Sequence, residues 1–100
     1  MAEIVWSPSA IEDVNAIAEY IARDSVDNAA LFVARLVDTV ERLGQFPESG
    51  VIIPEIGDSA CRQVLCVPYR IMYRIDGNCV WVTGVVHGAR DWKPGQEIGD

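Results

Sequence analysis

Arg70, Arg74, His87 and Arg90 lie close together in a stretch of strand-forming sequence, and their types are those that bind anions or move protons. A guanidinium offers a rigid fork of donors to a carboxylate or phosphate, and an imidazole changes charge near neutral pH. Joined by Trp81 and Thr83, they have the cationic, aromatic and hydrogen-bonding composition of a contact surface. Each also has a plainer reading. Arg74 can stack on Trp81 as a cation–π pair, Arg70 can be held by a nearby acid, and Arg90 can pair with Asp91. A lone histidine at a strand end is more often structural or exposed than catalytic. Three cysteines, Cys61, Cys66 and Cys79, make an odd count, and with one histidine they match no zinc ligand set. A reactive cysteine with His87 as its base is the functional alternative. Cysteines on strands are usually small buried hydrophobes, so free thiols in a reducing compartment are expected, with no metal and no cofactor.

The elements that must position these residues follow from periodicity and punctuation. Ile4-Val5-Trp6 is a short strand, and Ser7-Pro8 has the form of an N-cap followed by proline at the first helical position. Ile11, Val14, Ile17, Ala18 and Ile21 then predict an amphipathic helix from about Pro8 to Arg23. Glu12 and Asp13 fall early in it, where the helix dipole favours negative charge. Ser25 and Asp27 are candidate caps for a second helix, with Ala30, Val33, Ala34, Val37, Val40 and Leu43 as its stripe and Gly44 as its end. Phe46 to Gly50 reads as a loop, and Pro54 keeps its neighbours out of a central strand. Residues 60–67, 69–76 and 79–87 are strands, rich in valine, isoleucine and aromatic residues. The prediction is an α+β domain of order β-α-α-β-β-β, with a helical hairpin on one face of a three-stranded antiparallel sheet. It is a single domain over residues 1–100, with 92–100 as a flexible C-terminal tail.

If Gly77-Asn78 is a two-residue turn, Ile75 lies opposite Val80, Arg74 opposite Trp81, Tyr73 opposite Val82 and Arg70 opposite Val85. Alternation then puts Tyr69, Ile71, Tyr73, Ile75, Val80, Val82 and Val86 under the helices. Arg70, Met72, Arg74, Trp81, Thr83 and His87 fall on the other face.

Charge and length set limits. One hundred residues, half of them apolar, fit one thin-cored domain that buries roughly 60 to 65% of its unfolded surface, too small for a deep walled pocket. The formal net charge of −7 disfavours a protein whose whole surface grips nucleic acid. Residues 1–50 carry −6 of it, whereas the segment from Arg62 to Lys93 holds five bases and two acids. That segment is the expected landing place for an anionic partner. No apolar run approaches the roughly 20 residues needed to span a bilayer, and the N-terminal residues do not read as a signal peptide, so a cytoplasmic protein without membrane contact is expected.

The order of elements, together with Trp6-Ser7-Pro8-Ser9-Ala10, Phe46-Pro47-Glu48-Ser49-Gly50, Pro68-Tyr69-Arg70-Ile71-Met72-Tyr73 and Val86-His87-Gly88-Ala89-Arg90-Asp91, resembles the RelE/ParE toxins of bacterial type II toxin–antitoxin modules, from about residue 3 to 92. The resemblance implies one of two activities. RelE-like members are ribosome-dependent endoribonucleases that cut messenger RNA by 2′-hydroxyl attack, and ParE-like members bind DNA gyrase and stall it. For a nuclease the available set is Arg70, His87 and Arg90, with Glu48 or Glu55 as a second acid–base group. The strand before Tyr69 carries Cys61, Gln63 and Leu65 where lysines would be sought, and the charge is acidic. Cleavage needs cations aimed at the phosphate and tuned acid–base groups, so the ParE-like branch is the expectation. Its target contacts would be Arg70, Arg74, Arg90, Trp92 and Lys93, with tryptophan and arginine as interface anchors and without direct nucleic-acid binding. A toxin fold that has lost its activity is a further alternative. The resemblance also implies a cognate antitoxin. A groove between the helices edged by Tyr20, Phe32 and Leu36 could take an amphipathic helix, and the sheet edge could accept a strand.

Overall fold

The computed structural model describes residues 1–88. Both helices begin where serine types require. The Ser7 hydroxyl accepts the Ala10 N–H at 3.0 Å ahead of α1, Pro8–Ala22, and the Ser25 hydroxyl accepts the Asn28 N–H at 3.1 Å ahead of α2, Val26–Glu41. A 3₁₀ turn, Arg42–Gly44, extends α2. The strands are β1 Glu3–Trp6, β2 Val51–Ile52, β3 Cys61–Cys66, β4 Tyr69–Asp76 and β5 Cys79–His87. They form one sheet of order β1-β5-β4-β3-β2, in which β1 runs parallel to β5 and the other pairs are antiparallel. The α+β architecture is as expected, with two additions: the N-terminal strand joins the sheet as a parallel edge, and a two-residue strand forms just before Pro54. The expectations for Arg90, Trp92, Lys93 and the 92–100 tail lie outside the described residues.

The helices settle on the sheet with one rotation the apolar spacing did not predict. In α2 the buried residues are Ala29, Phe32, Leu36 and Val40, continued by Leu43, whereas Ala30, Ala34 and Val37 are exposed. Both sets have helical spacing. Burying Phe32 and Leu36 removes far more apolar area from water than burying Ala30 and Ala34, so the larger side chains take the core. Phe32 and Leu36, at 7% and 0% exposure, therefore lie beneath the hairpin and do not edge a surface groove. In α1 Ala10 is buried and Val14, Ile17 and Ile21 pack against the same cluster, while Ile11 is exposed. The cluster is completed by Cys66, Ile71, Val82 and Val85 from the sheet.

The β4–β5 hairpin turns at Gly77-Asn78, with Gly77 at φ +58°, and the pairs Ile75–Val80, Arg74–Trp81 and Tyr73–Val82 form as predicted. Beyond them the register shifts. Met72 pairs with Gly84, so Thr83 is an extra residue, a β-bulge, and Arg70 lies opposite Val86 rather than Val85. One inserted residue reverses the facing of everything after it. Val85 joins the helix-side core, Val86 turns to the other face beside Met72 and Ile53, and His87 lies opposite Tyr69.

Tyr73 ties the loop before β2 to the sheet. Its hydroxyl donates to the Pro47 carbonyl at 2.7 Å and accepts the Gly50 N–H at 3.0 Å. Burial pushes its pKa above the usual 10.0. Tyr73→Phe keeps the ring and strands both backbone groups, so a loss of about 1 to 2 kcal/mol is expected in urea unfolding. Cys61, Cys66 and Cys79 are free thiols. Burial also raises the Cys61 thiol pKa, the opposite of what a nucleophile needs.

Candidate functional site

Arg70 is the most elaborately bonded side chain of the predicted set. Its guanidinium makes a bidentate pair with Glu55, at 3.1 Å to Oε2 and 2.9 Å to Oε1, and Nε donates to Gln63 Oε1 at 2.9 Å. The side chains of Arg70 and Glu55 are 10% and 32% exposed. Glu55 stands on the β2–β3 loop, whose Ile53 is buried against Met72 and Val86. The loop thus straps the sheet face away from the helices, with Ile53 as its apolar anchor and Arg70–Glu55 as its ionic one. The hydrogen bond from Arg70 holds the Glu55 carboxyl below its ordinary 4.5. Glu55 does approach Arg70, yet as a fully engaged carboxylate rather than as an acid with a proton to give.

Among the described bases of the segment, Arg62 is spent on internal bonds as well. Arg62 donates to the carbonyls of Ser59, Glu48 and Gly50 and so clamps two loops. Arg74 is exposed, in line with Cys61 on one side and Trp81 on the other. Among the described residues the cation–π contact is Arg35 over the Phe32 ring, 5.7 Å from its centre, instead of the anticipated Arg74–Trp81 stack.

His87 belongs to a different group. Phe32 and Tyr69 meet edge to face at 5.2 Å, and Tyr69 meets His87 at 5.4 Å. Arg35 closes the group by donating to the Val67 carbonyl at 2.8 Å, and the Gly88 N–H donates to the Pro68 carbonyl at 2.7 Å. Because of the bulge, His87 and Arg70 stand on opposite faces of the sheet, which corrects the expectation of one shared face. Arg35 was missed in the sequence; its place three residues after Phe32 on a helix was the available signal.

Two surfaces could receive a partner. Between α1 and α2 runs a shallow apolar furrow lined by Ala18, Ala22, Val26, Ala30, Val33 and Ala34. Tyr20, 66% exposed, stands apart from it beside Ile21, Arg23 and Asp24. The second surface is the sheet edge. There β2 pairs with only Gln63 and Arg62, so among the described residues no strand covers the rest of the outer edge of β3. Exposed Phe46, Val51 and Leu65 line the hollow beside that edge. Among the described residues no cluster of His, Cys, Asp and Glu could hold a metal ion, and no helix is long and apolar enough to cross a membrane.

Comparison with known proteins covers nearly the whole chain. The family model described as the ParE toxin of the type II toxin–antitoxin system parDE matches residues 4–92. Toxin RelE2 of Caulobacter vibrioides is 31% identical over 91 residues, covering 90% of this chain and 99% of that protein. Y4kP of Sinorhizobium fredii is 36% identical over 90 residues, covering 89% and 91%. A solved chain of the chromosomal ParDE system from P. aeruginosa superposes with a TM-score of 0.71 at 21% identity, over 87% of this chain and 96% of its own, a likeness of fold.

Proposed function

The chain belongs to the ParE toxin family of type II toxin–antitoxin systems, and from that membership we propose that it acts in the cytoplasm by binding DNA gyrase, under the control of a cognate antitoxin. What favours binding over RNA cleavage is the state of Arg70. A nuclease would aim that cation at a phosphate with an acid–base group beside it. Here its guanidinium is occupied by Glu55 and Gln63, and His87 lies across the sheet. Exposed Arg74 is the target contact proposed within the described residues, joined by Arg90, Trp92 and Lys93 beyond them.

For the antitoxin, the furrow between the helices suits the apolar stripe of an amphipathic helix, and the open part of the β3 edge suits an added strand. Glu12, Glu19, Asp27, Asp38 and Glu41 on the helices and Asp24 in the turn between them are exposed, so basic residues flanking that stripe are expected. Tyr20 remains a candidate contact by its exposure.

Induced expression, followed by a gyrase supercoiling assay and primer extension on ribosome-bound messages, separates the readings. Inhibited supercoiling with intact messages is the expected result. Cut messages with normal supercoiling would establish the RelE-like activity instead. No growth arrest on induction would identify a toxin fold whose activity has been lost.

A further inference from the structure

β1 is shorter than β5. Its pairing ends at Trp6 with Val82, and the last backbone bond between that end and β5 runs from the Ser7 N–H to the Val82 carbonyl at 3.0 Å. The outward backbone groups of β5 beyond that point need other partners. Side chains of the first helix and its cap provide them. The Ser7 hydroxyl donates to the Thr83 carbonyl at 3.3 Å, and Asp13 Oδ2 accepts the Val85 N–H at 3.0 Å.

The second of these bonds is tied to the bulge. Along a regular strand, backbone groups point alternately to the two sides, so residues 82, 84 and 86 would share the outward side. With Thr83 as an extra residue, Val85 takes the outward position instead. Asp13 therefore meets an N–H in the bulged register, and in a regular register the same N–H turns towards β4. A carboxylate that bonds one of two competing registers shifts their balance by its differential interaction. That balance decides the side chains as well. In the bulged register Val85 lies in the core and His87 against Tyr69, whereas in the regular one Val85 and His87 exchange faces with Val86.

We propose that Asp13 is a positioning residue that selects the bulged register of β5, and thereby fixes the face on which His87 stands. Asp13 acts through β5, so this holds whichever target the toxin has.

The test is amide hydrogen exchange and NMR on the full-length chain. In the unmodified protein a coupling across the hydrogen bond is expected between the Val85 amide nitrogen and the Asp13 carboxyl carbon. Asp13→Ala is expected to speed Val85 exchange about tenfold or more relative to Val80, and to weaken the Tyr69–His87 ring contact. Asp13→Asn, whose amide oxygen can accept the same bond, should stay within about threefold of the parent. If Asp13→Ala quickens all β5 amides together and leaves the ring contact intact, Asp13 is only glue between helix and sheet and the proposal fails. It fails equally if the coupling is absent from the unmodified protein, a measurement that does not depend on any variant folding.

Discussion

Leu36→Ala is expected to lower the stability of the domain by about 3 kcal/mol, within the range for truncating a fully buried leucine. Leu36 has no exposed surface and lies at the centre of the cluster that joins α2 to Ile71, Val82 and Val85. The loss combines the transfer free energy of the removed methyl groups with the cavity left in a thin core that has little else to fill it. Tyr20→Ala is the matching control. That side chain is exposed, and its removal should change stability by no more than about 0.5 kcal/mol. Chemical unfolding measures both. Capture of the antitoxin then completes the comparison: Tyr20→Ala weakens capture at full stability if Tyr20 is a contact, while Leu36→Ala weakens it only in proportion to unfolding. A Leu36→Ala protein of near-normal stability with selectively poor capture would return Leu36 to the partner surface.

Removing the carboxylate opposite Arg70 should be the second large effect, with an asymmetry that identifies its cause. Glu55→Ala leaves a largely buried guanidinium without the carboxylate that pairs with it, and about 2 to 3 kcal/mol is expected to be lost. That is below the usual cost for a fully buried pair, because Glu55 is about one-third exposed and solvent screens part of the interaction. Arg70→Met should cost less, about 1 kcal/mol, since the apolar stem is retained and Glu55 can turn towards water. The pair also makes stability depend on pH. The Glu55 pKa is depressed in the folded state, so its contribution is fully present above the ordinary value of 4.5 and is lost as the pH falls through the lower folded value. A stability profile from pH 7 to pH 3 should therefore drop more steeply below 4.5 in the parent than in Glu55→Gln. Coincident profiles would show that the ion pair contributes nothing measurable. If Arg70→Met folds and still arrests growth, Arg70 is a structural latch and not a target contact.

Legibility from sequence varied with the range of the interaction. Ser7-Pro8, Ser25 and Gly77-Asn78 were readable because caps and tight turns are decided within four residues. The rotation of α2 was not readable from spacing, since its small and large apolar residues form two stripes of the same period. Relative side-chain size was the signal that spacing alone ignored. Glu55 was visible as an acid near the strands, but its pairing with Arg70 spans fifteen positions and depends on how the β2–β3 loop folds back. Asp13 looked like a residue placed for the helix dipole, and its bond to Val85 crosses 72 positions.

By itself the sequence determined the order of the two helices and of every strand but the two-residue β2, the Gly77-Asn78 turn, the acidic helical half and the likeness to RelE/ParE toxins. Tertiary structure alone decided which basic residues are spent on internal bonds and which side of the sheet His87 occupies. The physical reason is that a strand's facing has period two. A single bulged residue, stabilised by a carboxylate from a distant helix, reverses every position after it, and local sequence preference does not record where that residue goes.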